Sequence, residues 1–322
     1  MIRVKKLVVI LALALAAHAR AADGGATARH SGTVVDDNGR PVAGATVDCY
    51  RYQSSERFRS GDREPELTQR TVTDSKGAFT VPSAPGATLV VVKKPGLSTA
   101  WKTWTIGLDD SSDPLVLSTP TSLAGTVLDQ YNQPVALAEV WVAGAITGDE
   151  YSTAAQENEL FGQPARECFS VLTTMDGRFR IVNFPAGGRA GLAVKVSGKA
   201  QRPVGDGFQG SLDHQSGEED IELRVGPAGS VEGQVLVAEG GQPPAGVIIK
   251  LEPAKPGFFG SEFRETIQSA ADGTYRIPDV QPGLYNLTAA VSGLLVPDWV
   301  GVPGFNQVTV VAGETVRDTV VY

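Results

Sequence analysis

Short stretches of this chain alternate apolar and polar residues with a period of two, and clusters of Gly, Pro, Asn and Asp interrupt them at close intervals. That pattern predicts β-strands joined by turns. In TVTDSKGAFTV (71–81), Phe79 and Val81 fall on one face of a strand, and Thr80 on the other. LTTMDGRFRIV (172–182) and SAADGTYRIPD (269–279) repeat the arrangement with Phe179 and Ile181, and with Tyr275 and Ile277. Arg180 and Arg276 are expected to point outward.

These stretches belong to a longer repeat, and internal self-similarity decides the architecture before any single element does. One copy opens SGTVVDDNGRPVAGATV (31–47), and a second opens AGTVLDQYNQPVALAEV (124–140), position for position. The third, EGQVLVAEGGQPPAGVII (232–249), needs one inserted residue before Pro243. Each reads as strand, turn, strand. Asp37-Asn38-Gly39 supplies residues that tolerate positive φ, and Pro41 marks a strand start or edge because it lacks an amide donor. A turn ending at Gly77, Gly177 or Gly273 follows, with the aromatic two residues on. Pro85-Gly86, Pro185-Ala186-Gly187 or Pro282-Gly283 then leads into an apolar strand that stops at Gly96, Gly198 or Gly293.

The spacing predicts three all-β units: 27–119, 120–226 with a longer insertion, and 227–322. Each is expected to enclose its own apolar interior. The variable polar tracts 51–70 and 144–167 are expected in exposed loops or at strand ends, since buried irregular backbone lacks partners. Linkers near Pro120 and Pro227-Ala228-Gly229 are short, which suggests a semi-rigid rod.

The pattern G-x-V-x-D-x-x-G-x-P-V-x-G-A-x-V, complete in the first copy from Gly32 to Val47, resembles the carboxypeptidase regulatory-like domain family. The second copy departs from it at Asn132 and Leu137, which replace glycines, and the third has Val237 in place of the aspartate. The resemblance implies three tandem immunoglobulin-like or prealbumin-like antiparallel β-sandwiches, each of seven or eight strands. It does not imply peptidase activity, because function resides in sites and not in folds.

The N-terminus changes the setting. Arg3, Lys5 and Lys6, an apolar run from Leu7 to Ala17 and small residues around Ala21 have the layout of a secretory signal peptide over residues 1–21. The run is short for a permanent span, so no membrane insertion is expected after cleavage, and the chain is read as secreted, periplasmic or associated with the cell surface. Removing those residues takes four of the 28 basic side chains and none of the 36 acidic ones, so 24 against 36 leaves a formal charge of −12. Nucleic acid is thereby disfavoured as a partner.

Reactive groups are sparse in the sequence. Beyond residue 21 only His30 and His214 remain, without the spacing a zinc site needs, so no metal or other cofactor is expected. His214 reads as a solvated loop residue. Cys49 and Cys168 read as buried free thiols, with an intermolecular bridge as the lesser alternative. Gly205 to Gly210 satisfies G-x-G-x-x-G but opens no helix, so it reads as a turn-rich linker. The acidic groups Asp109, Asp110 and Asp113, and Glu218, Glu219 and Asp220, read as solvated charges, with calcium as the lesser alternative. No catalytic residue is assigned.

For ligand binding the candidates are Trp101, Trp104, Trp299 and Phe305, since an exposed aromatic face stacks on a sugar or peptide. Trp101 and Trp104, three apart, fall on opposite faces of one strand, and core packing of both across a bend is the plainer reading. The function expected is that of a non-enzymatic scaffold, spacer or adhesion module of a bacterial envelope with an envelope protein as partner. The alternative is a carbohydrate- or peptide-binding protein using loop aromatics, and an enzyme of unrecognised class comes third.

Overall fold

The computed structural model describes residues 29–52, 65–83, 87–105, 113–148, 158–201, 212–236, 246–254, 265–290 and 306–321. The signal segment, Gly205 to Gly210, Asp109, Asp110, Trp299 and Phe305 lie outside the described residues. Among those described, no helix is long and apolar enough to cross a membrane.

Three β-sandwiches follow one another. The first pairs a three-stranded sheet, built from β1 (Arg29–Asp36), β4 (Ala78–Pro82) and β7 (Leu115–Leu117), with a four-stranded one. The latter has the order β3 (Glu66–Val72), β2 (Thr46–Tyr52), β5 (Ala87–Lys93), β6 (Ala100–Thr105). The third repeats this order, with β20 (Thr274–Val280), β17 (Gly229–Leu236) and β23 (Thr315–Val321) in one sheet. Its other sheet runs β19 (Glu265–Gln268), β18 (Ile248–Pro253), β21 (Gly283–Ala290), β22 (Asn306–Val310).

The second sandwich has β12 (Arg178–Phe184), β8 (Thr121–Leu128) and β16 (Ile221–Pro227) facing β9 (Glu139–Ile146) and β13 (Arg189–Val196). The short strands β10 (Glu159–Phe161), β11 (Ser170–Leu172) and β15 (His214–Gln215) extend the second layer. β14 (Lys199–Gln201) pairs with both β13 and β16, so the two layers join at one edge. Pairing is antiparallel with one exception per sandwich: β1 with β7, β8 with β16 and β17 with β23 are parallel. The last strand of each unit crosses from the larger sheet to lie beside the first, and so runs in the same direction.

The repeat signature has a direct physical basis. Gly32 lies opposite Phe79, Gly125 opposite Phe179 and Gly233 opposite Tyr275 in the antiparallel register. An inward-facing aromatic therefore lies across from an inward-facing glycine; at Gly32 the Phe79 ring occupies the space a side chain would take, at Gly233 Tyr275 shares it with the Asp318 carbonyl, and at Gly125 the Ile221 carbonyl fills it. The Asp of the opening motif closes its turn through Oδ1: Asp36 accepts the N–H groups of Asn38 and Arg40, both at 2.9 Å, and Asp129 those of Tyr131 and Gln133 at 2.8 and 3.0 Å. A buried hydroxyl locks the next turn. Thr73 Oγ1 accepts the Ala45 N–H at 2.9 Å and donates to the Val42 carbonyl at 2.6 Å, and Thr173 repeats both contacts with Ala138 and Val135. Ser269 takes the same position and accepts the Val247 N–H at 3.2 Å.

Where the second copy departs from the motif, the backbone does not. Asn132 has φ 60° in place of Gly39 at 73°, and Leu137 has φ 56° where Gly44 and Gly246 have 68° and 72°. A leucine there carries the left-handed penalty that glycine avoids. Leu137→Gly is accordingly expected to raise the stability of the second sandwich by about 1 kcal/mol, against the usual loss on placing glycine in a loop. Urea unfolding of the two proteins checks the sign.

One expectation needs correction. The tract 144–167 is not simply loop: from residue 158 onward it forms β10 and a short helix, α1 (Gln163–Cys168), with Leu160 and Ala165 fully buried. Residues 66–70 of the first variable tract likewise belong to β3. The first and third sandwiches each have an apolar interior of their own, and on the outer face of the first sandwich's larger sheet Tyr50, Ala87, Leu89, Val91 and Trp101 belong in addition to the same apolar cluster as the interior of the second.

Candidate functional site

The joint between the first two sandwiches is where the chain departs most from a row of independent units. Its cause lies in β5, whose run Thr88-Leu89-Val90-Val91-Val92 is buried at every position. Val90 and Val92 join Val47, Cys49 and Trp104 in the interior of the first sandwich. Leu89 and Val91 face the other way with Tyr50 and Trp101. An apolar strand without alternation has both faces covered; here the second cover is the next sandwich.

Trp101 and Trp104 stand on opposite faces, as their spacing requires, and no bend is involved. They are 4% and 5% exposed, so neither offers a free face for stacking on a ligand. Trp104 packs among Phe79 at 6.3 Å and His30 at 5.3 Å between ring centroids. Trp101 meets Phe169 edge-on at 6.2 Å and donates from Nε1 to the Asn158 carbonyl at 2.6 Å. Phe169 in turn meets Phe184 at 5.3 Å, so an aromatic row runs from the first sandwich into the second. The indole N–H thus finds its acceptor across the joint, which fixes the ring as well as burying it.

A polar cluster accompanies the apolar contact. Asp48 on β2 is fully buried, with Arg70 Nε at 2.5 Å and Lys93 Nζ at 2.6 Å. Arg70 sits directly opposite on β3, and Lys93 diagonally on β5. Burial alone would push the carboxyl up, but hydrogen bonds from Arg70 and Lys93 outweigh it and hold the group below its ordinary value. Tyr50 donates to Glu167 of α1 at 3.2 Å. Burial, and then the Asp48 and Glu167 charges, push its phenol up. Cys168, at the end of α1, is a free thiol that burial pushes up to about 11. Cys49 is also a free thiol, on the opposite face of β2.

A carboxyl whose folded pKa is depressed adds stability above its unfolded value, near 3.9, and that stability disappears as pH falls through the folded value. The first sandwich, on the sheet face it presents to the joint, is therefore expected to weaken below about pH 4. Asp48→Asn should flatten the acid limb of a stability profile while lowering stability at neutral pH, and thermal melts from neutral pH down to about pH 2 check both.

The joint between the second and third sandwiches is different in kind. Gly198 donates its N–H to Asp279 Oδ1 at 2.8 Å, Gln281 Nε2 donates to the Gln201 carbonyl at 2.6 Å, and Lys195 lies 3.7 Å from Glu265. These are polar contacts at a sandwich end.

The remaining candidates are dispersed. His214 lies in β15 and faces Glu218 at 3.3 Å, so it is half-buried and not a solvated loop residue. Glu218 also accepts the Gln215 N–H, while Glu219 pairs with Arg180 at 3.0 Å. Among the described residues no three metal-binding side chains gather. Open grooves of about 720 and 950 Å³ lie along equivalent strands of the second and third sandwiches. Paired charges line them, such as Arg276 and Glu232 at 3.0 Å.

Two family models match parts of the chain. Residues 31–116 match the family model of the carboxypeptidase regulatory-like domain. Residues 229–299 match the second β-sandwich domain of NOMO1-like subunits of the BOS complex. Among solved structures, the Streptococcal ancillary pilin is 15% identical, with 91% of this chain and 99% of that one covered and a TM-score of 0.28. The Bacillus anthracis TIE protein is 13% identical over 91% of this chain at a TM-score of 0.24, and this chain spans about half its length, 50%. BcpA, the major pilin subunit of Bacillus cereus, is 10% identical, with 91% and 99% of the two chains covered and a TM-score of 0.24. No curated protein matches the chain.

Proposed function

We propose that this chain is an exported, non-enzymatic spacer or scaffold of the bacterial envelope whose working part is the joint between its first two sandwiches. The observation that carries this reading is the apolar cluster shared by both units, to which Trp101 belongs. A spacer must hold its modules at a set angle. Short linkers alone permit rotation, whereas a contact that buries a tryptophan, a tyrosine and three aliphatic side chains does not. The carboxypeptidase regulatory-like match over the first sandwich supports the reading, as does the signal-like N-terminus.

Small-angle scattering on the mature chain, combined with fractionation of the source cells, tests the proposal. It expects the protein outside the cytoplasm, cleaved near residue 21, with a scattering profile that fits one fixed arrangement of the first two sandwiches. Retention in the cytoplasm would contradict the envelope role, and a profile that needs freely rotating units would contradict the spacer role.

A further inference from the structure

In all three sandwiches the first and last strands lie side by side and parallel, although loops and joints differ from copy to copy. Parallel neighbours put the start of the first strand and the end of the last at opposite ends of the pair. A pull on the two ends of the chain therefore acts along the strands and slides one past the other, so the hydrogen bonds between them resist together. The paired lengths differ. β7 holds to β1 over Val34–Asp36, β16 to β8 over Gly125–Leu128, and β23 to β17 over Ser230–Leu236. β14 holds β16 from its other side, whereas β7 and β23 lie at sheet edges. Side chains pin the third pair further: Ser230 Oγ lies 2.8 Å from Thr315 Oγ1, and Tyr275 donates to the Asp318 carbonyl at 3.0 Å. In the first sandwich the Ser118 and Thr119 N–H groups, just past β7, reach Ser98 Oγ and Asp37 Oδ2 at 2.9 and 2.8 Å. The shared core lies on β2, β5 and β6 and leaves β1 and β7 without its support.

We propose that the chain carries tension along its length, that the parallel pair of first and last strands is the clamp in each sandwich, and that the first sandwich yields first. In series each clamp bears the same load, so the shortest decides where the chain gives way. Seven paired residues in the third sandwich stand against three in the first. The inference goes beyond the spacer reading and rests on strand register, not on the shared core. A chain whose joint rotated freely would still meet it, so either can fail alone.

Single-molecule pulling on the mature chain tests it. With handles at both ends, three unfolding steps are expected, lengthening the chain by about 300 Å for the first and third sandwiches and by about 350 Å for the second. Handles at Ala228→Cys and the C-terminus load the third sandwich alone and so identify its step. Cys49 and Cys168 compete little for the handle, because burial keeps both thiols protonated. The first sandwich should yield earliest, at about half the force of the third. Ala228 and Glu314 sit at the same end of β17 and β23, where the Gly313 N–H donates to the Ala228 carbonyl at 2.9 Å. Handles at Ala228→Cys and Glu314→Cys therefore part that pair from one end, a residue at a time, and the force should fall at least about threefold. An earliest step that belongs to the second or third sandwich would overturn the inference. So would equal forces from the two ways of loading the third sandwich.

Discussion

Gly125→Ala is expected to destabilise the second sandwich by at least about 3 kcal/mol, and no substitution of a neighbouring side chain should recover it. A Cβ at Gly125 would run into the Ile221 backbone carbonyl, directly opposite in the parallel pair of β8 with β16. Relief requires the last strand of the sandwich to move away from the first. Gly32→Ala provides the contrast. There the added Cβ meets the Phe79 ring, with Cζ at 2.5 Å, and a shorter side chain removes the clash. Phe79→Leu should therefore offset part of the Gly32→Ala loss, while Phe179→Leu should leave Gly125→Ala uncorrected. Urea unfolding of both double-mutant cycles measures the difference.

Trp101→Ala is expected to remove roughly 3 to 5 kcal/mol, the usual range for an aromatic truncated in a packed core. The loss should appear as uncoupling. The indole packs against Phe169 and donates to Asn158, both in the second sandwich, whereas the interior of the first is built on Trp104 and the other face of β5. Removing Trp101 leaves each sandwich its own core and weakens what binds them. Trp104→Ala should cost a similar amount but melt the first sandwich itself. Chemical unfolding followed by fluorescence of the remaining tryptophans separates the two: an added early transition for Trp101→Ala, and early loss of the first sandwich for Trp104→Ala.

Most of the architecture is legible in the residues, because the repeat ties each glycine to its aromatic and each turn to its Asp or Gly. Parallel pairing of first and last strands is not, since alternation gives a strand its faces and not its direction. The hydroxyl lock at Thr73, Thr173 and Ser269 escapes notice because Ser and Thr beside a turn resemble solvated residues, although their recurrence four positions before the turn glycine is a signal. The joint left a plainer trace. Leu89 to Val92 is an uninterrupted apolar run, while the equivalent strand of the third copy, Leu284-Tyr285-Asn286-Leu287-Thr288, alternates and has one face in water. What completes the joint, β10 and α1, lies in a stretch that is polar on average. Its few buried side chains, Leu160, Pro164, Ala165 and Phe169, are apolar, and Leu160, Ala165 and Phe169 join the cluster shared with the first sandwich. Asp48 was unreadable for a related reason: only the neighbouring strands bring Arg70 and Lys93 to it.

Differential scanning calorimetry on the mature wild-type chain bears most directly on the shared core. If the first two sandwiches are one folding unit, about 190 residues melt in a single transition with an enthalpy of roughly 130 kcal/mol, and calorimetric and van't Hoff values agree. The third sandwich then melts separately with about half that enthalpy. Three transitions of similar size, one for each sandwich, would contradict the account.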